Sequence, residues 1–87
     1  MTSFEFLKQF SEIENHLYSL VSVFDKKQGF FNLLKNLKAN NLVSVEVLQD
    51  LSIIWQTRNK VVSSASEISV DKMVAEKLQI VKQNLNI

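Results

Sequence analysis

"LQDLSIIWQTRNKVVSS", residues 48–64, is the stretch from which the rest of the chain can be read. It lacks glycine and proline, and its apolar residues return every three or four positions, at Leu48, Leu51, Ile54, Trp55, Val61 and Val62. That spacing is one stripe of an amphipathic α-helix. Val47 extends the stripe at one end and Ala65 at the other. Ser44 stands where an N-cap belongs, with Glu46 and Asp50 near the positive end of the helix. Within the stripe lies Arg58. The chain has ten Lys and Arg residues together, and Arg58 is the only arginine, so the other nine are lysine.

Arg58 follows Trp55, the only tryptophan, by three residues and Ile54 by four, so the three share a face. One reading has Arg58 snorkel to the bundle edge and cover Trp55. The other has its planar fork bind an anion or a carboxylate across an interface, a geometry that lysine lacks. Beside it runs a second strip, Ser52, Gln56, Asn59, Ser63 and Ser66, spaced four, three, four and three apart. It is polar without charge, which suits the rim of a helix–helix or dimer contact.

Working outward, the period stays helical. Residues 3–24 carry a stripe of Phe4, Leu7, Phe10, Ile13, Leu17, Leu20, Val21 and Phe24, with Ser3 as N-cap and Glu5 and Phe6 in the first turn. "DKKQG", residues 25–29, breaks that pattern. A short helix over 30–39 follows, with Phe30, Phe31, Leu34 and Leu37 inward, until "NNLVS" ends it. After "SSASEIS", Ser69 caps a last helix with Asp71 in its first turn and Val70, Met73, Val74, Leu78, Val81 and Leu85 inward. With no proline and only Gly29, strands and tight hairpins are not expected. The expected fold is all-α, an antiparallel four-helix bundle formed by residues 1–87 as a single domain.

The apolar fraction of 46% is that of a folded chain. Its 87 residues make a marginal monomer that pairing would stabilise. The net charge of +1 is too small for general capture of nucleic acid. There is no cysteine, hence no thiolate chemistry, and no apolar run long enough for a membrane span or a signal peptide. The expected setting is cytoplasmic. His16 lies four residues after Glu12 and reads as a surface pair; one histidine with scattered carboxylates makes no metal site, and no metal or cofactor is expected. Lys26, Lys27, Lys35 and Lys38 form a local basic cluster that reads as a solvated face.

The 48–64 stretch resembles the signature helix of HEPN domains, small four-helix bundles of prokaryotic toxin, antiphage and RNA-processing systems. Such helices carry an apolar pattern leading into Arg-Asn, a few mostly aliphatic residues, then histidine. Arg58-Asn59-Lys60-Val61-Val62 match the first five positions, and Ser63 stands where histidine is expected. The order of a long helix, a short one, a turn, the signature helix and a terminal helix is similar along essentially the whole chain. The resemblance implies a homodimer in which Arg58, Asn59 and position 63 of two subunits meet. In active members that groove is a metal-independent ribonuclease site. Arg58, Asn59 and Ser63 are therefore the catalytic motif positions, Arg58 and Lys60 the phosphate-binding ones, and Ser52, Gln56, Asn59 and Ser63 the interface. Serine cannot exchange a proton near neutral pH as imidazole does. The resemblance thus implies an inactive, dimeric interaction domain that binds an antitoxin or other protein partner, or RNA weakly. The alternative is a toxin-type ribonuclease with a degenerate motif, and a third reading is a structural domain whose Arg58 only packs.

Overall fold

A computed structural model describes residues 1–21, 29–63 and 69–87. Among them are four helices and no strand: α1 Ser3–Ser19, α2 Gly29–Ala39, α3 Val45–Ser63 and α4 Lys72–Leu85. The radius of gyration of 12.7 Å is close to the roughly 12 Å of a compact body of this length.

The helix starts follow capping chemistry, with two shifts from expectation. The Thr2 hydroxyl, rather than Ser3, accepts from the Glu5 N–H at 3.2 Å, and Ser3 is buried in the first turn. Ser44 caps α3 as expected, accepting from the Val47 N–H at 3.3 Å. At α4 the cap is Asp71, whose carboxylate accepts from the Met73 N–H at 2.8 Å, and not Ser69. Ser69 is engaged elsewhere. It forms an isolated antiparallel bridge with Thr2, and the Val70 N–H donates to the Met1 carbonyl at 3.1 Å.

Two helix ends, those of α2 and α4, depend on asparagine. Asn41, at φ 53°, follows α2, and the Leu42 N–H reaches back to the Leu37 carbonyl at 3.0 Å. Asn86, at φ 60°, does the same after α4, with the Ile87 N–H on the Lys82 carbonyl at 3.0 Å. Both are the six-to-one closure that a left-handed residue permits. Gly29 opens α2 at φ +88°. A Cβ there would meet no atom within 4 Å, so any cost of Gly29→Ala is conformational rather than steric. We expect Gly29→Ala and Asn41→Val each to cost about 1–2 kcal/mol, and Asn41→Gly to be neutral or stabilising, by denaturant unfolding.

α3 packs against each of the other three helices, and α1 also packs on α4. α2 and α3 form an antiparallel hairpin, joined at residues 40–44 and meeting at the far end where the Phe31 and Trp55 rings lie 6.3 Å apart. α3 and α4 are also antiparallel, since Asp50, early in α3, pairs with Lys77 at 3.0 Å while Val61 shares a cleft with Val70 and Val74. α1 and α4 instead run in the same sense: Gln9 bonds Gln79 at 2.8 Å, and Glu12 pairs with Lys82 at 3.4 Å. The wholly antiparallel arrangement expected from short connections is thus not followed by the first and last helices.

The core corrects several stripe assignments. In α1 the buried residues are Phe6, Phe10, Ile13 and Leu17, while Phe4 is 71% exposed. In α2 they are Phe30, Leu33 and Leu37, and Phe31 is 57% exposed. α3 buries Val47, Leu51, Ile54 and Val61, but Val62 faces outward. α4 buries Val74, Leu78 and Val81, but Met73 faces outward. Each correction has one cause. Where apolar residues are adjacent or two apart, they cannot share a face at about 100° per residue. Phe24 and Ala65 lie outside the described residues.

Candidate functional site

Arg58 is half-buried. It lines a cleft with Glu14, Asn15 and Tyr18 of α1, Gly29 and Phe30 at the start of α2, and Trp55 one turn before it on α3. The floor of this cleft is the end of an aromatic chain. Phe6 and Phe10 lie 6.3 Å apart, Phe10 and Phe30 5.2 Å, and Phe30 and Trp55 5.8 Å. The rings hold Trp55 at the margin of the core. Trp55 is therefore only partly buried, packed on the core by one flank, and not enclosed as expected for a residue in the middle of the stripe.

At the exposed edge of the cleft, an Arg58 guanidinium N–H (Nη1) donates to the side-chain oxygen of Asn59 at 3.2 Å. The two motif residues thus form one unit, with the fork held toward its neighbour. Burial first, and then the Glu14 carboxylate, push the Tyr18 phenol above its usual value. It stays neutral near physiological pH.

Of the expected strip, Gln56, Asn59 and Ser63 are exposed and Ser52 is half-buried; Ser66 lies outside the described residues. Asn59 and Ser63 are one turn apart on one face. The Ser63 hydroxyl donates to the Lys60 carbonyl at 3.0 Å, a local back-bond to the last turn of α3. No hydrogen bond joins it to Arg58 or Asn59. Lys60 is exposed beside them.

His16, in the last turn of α1, does not pair with Glu12 as expected, because Glu12 is drawn to Lys82 of α4 instead. Among the described residues no group of three His, Cys, Asp or Glu side chains could hold a metal ion, and no helix is long and apolar enough to cross a membrane.

A second concave surface shares Trp55 with the Arg58 cleft. Between α2 and α3 runs a groove lined by Phe31, Leu34 and Leu48, by Trp55, by Lys35 and Lys38, and by Ser52 and Gln56. Phe31 was expected in the core; its exposure supplies the groove's apolar floor. Lys26 and Lys27 of the basic cluster lie outside the described residues, whereas Lys35 and Lys38 stand on this groove. Its α2 wall is legible in the sequence, since 31, 34, 35 and 38 share one side of a helix, but its α3 wall is not.

Comparison with protein-family models finds no match, and neither the curated proteins nor the solved structures yield one.

Proposed function

We propose that the chain is a HEPN-like helical domain that works by binding and not by cutting. Two copies pair about a two-fold axis along Ser52, Gln56, Asn59 and Ser63, with Asn59 and Ser63 at the centre and Arg58 at the edge. The observation that carries this reading is Arg58, in an aromatic-floored cleft, hydrogen-bonded to the exposed Asn59 of a strip without charge. Such a strip can be desolvated without burying an unpaired ion, and a two-fold contact lets each amide meet its own copy. Ser63, with its hydroxyl on the Lys60 carbonyl, offers no proton carrier near neutral pH.

Light scattering tests it. We expect a species of twice the 10.0 kDa chain mass at tens of micromolar, and Asn59→Glu to shift it to monomer by placing like charges across the axis. A chain that is monomeric throughout that range overturns the pairing.

A further inference from the structure

We propose that the α2–α3 groove is a docking site for an acidic amphipathic helix of a partner protein. This deepens the interaction reading and rests on it, though not on the dimer strip being occupied.

The floor is apolar and open. Phe31 is 57% exposed, Leu34, Leu48 and Trp55 are only partly buried, and the four together make a continuous surface. The rim is cationic. Lys35 and Lys38 are exposed, and among the described residues no acidic side chain lines the groove and neither lysine has an acidic partner. The Lys35 ammonium instead rests over the Phe31 ring at 5.5 Å from its centroid. That contact holds the charge at the lip of the apolar floor.

A guest must therefore present apolar residues to the floor and carboxylates to the rim. Both walls are helices in an antiparallel hairpin, and the 11 residues of α2 span about 16 Å. That length fits three turns of a guest helix with anchors at i, i+3 or i+4, and i+7. A second copy fits poorly, because pairing groove on groove would set lysines against lysines. Nucleic acid is disfavoured by the apolar floor and the net charge of +1.

Trp55, the only tryptophan, sits in the groove and reports on it. The full chain is titrated with a synthetic tryptophan-free helical peptide carrying leucine at the anchor positions and glutamate around them. A twin peptide has lysine for every glutamate. We expect saturable change in Trp55 emission with the acidic peptide, at an affinity about tenfold or more above its twin at low salt, weakening as salt rises. Lys35→Glu combined with Lys38→Glu, both at exposed positions, should reverse the preference while leaving the helical circular dichroism unchanged.

Equal affinity for the twins, or no response to the acidic peptide, overturns the proposal. So does tighter binding of oligouridylate through the same lysines, which would make the groove a nucleic-acid site. Ser52 and Gln56 belong to both the groove and the pairing strip, so a Trp55 change on concentrating the chain alone reports pairing, and the peptide is titrated at a concentration where the measured mass is that of a monomer. Mass measured across concentrations separates the two readings: a chain that binds the peptide but never pairs sinks only the dimer, and a chain that pairs at high concentration yet ignores the peptide as a monomer sinks only the groove.

Discussion

Phe6→Ala should cost about 3–5 kcal/mol, and Phe4→Ala less than about 0.5 kcal/mol. The two residues are neighbours in sequence and alike in chemistry, so the difference isolates burial. Phe6 is wholly inaccessible, touches Phe10 through rings 6.3 Å apart, and begins the aromatic chain that ends at Trp55. Its removal leaves a cavity between α1 and the rest of the core, and packed surroundings relax only partly into such a void. Phe4, at 71% exposure, loses little. A chain of 87 residues has roughly 4–13 kcal/mol of stability in total, so Phe6→Ala removes a large share of it. Urea unfolding followed by circular dichroism measures both. Equal losses for the two variants would mean that α1 is rotated from the orientation described.

A comparably large effect is expected in chemistry. The chain as it stands should leave single-stranded RNA intact in a metal-free assay, and Ser63→His should bring measurable cleavage. Attack of a ribose 2′-hydroxyl on the adjacent phosphate needs a proton acceptor, a donor for the leaving oxygen and a cation on the phosphate. Arg58 can supply the cation, and its side-chain partner Asn59 can orient the phosphate. The Ser63 hydroxyl is un-ionised near neutral pH and is bonded to the Lys60 carbonyl at 3.0 Å. Position 63 is the exposed last residue of α3, so an imidazole fits there without displacing the core. General acid–base assistance is worth roughly 10²–10⁴-fold per group, which separates a visible product from none. Strong cleavage by the unaltered chain, abolished by Arg58→Ala, would show that another residue carries the proton and that the domain is an enzyme.

The number and order of the helices were legible in the sequence because periodicity survives without knowledge of neighbours. The side facing the core was less so. In "FEF" and "GFF" two phenylalanines compete for one inward position, and only packing against α3 and α4 selects Phe6 and Phe30. The caps at Thr2 and Asp71 escaped for a related reason. The bridge between Thr2 and Ser69 joins residues far apart in the chain, and no local pattern announces it. Of the site, the Arg58–Asn59 unit and its uncharged strip could be read from spacing on a single helix. The groove could not, because it exists only where α2 lies against α3.

The parallel seating of α1 on α4 bears on how the molecule is made. The pairs that join them, Gln9 with Gln79 and Glu12 with Lys82, are 70 residues apart. The α2–α3 hairpin is made of contacts close in sequence, the kind that form early. The flank of α1 that α4 covers with Leu78 and Val81 has no partner until α4 itself has been translated. A nascent chain stalled before that point carries an open apolar seam, the kind of surface that chaperones hold and proteases recognise. Closing that seam falls to α4, which follows the other three helices in the chain.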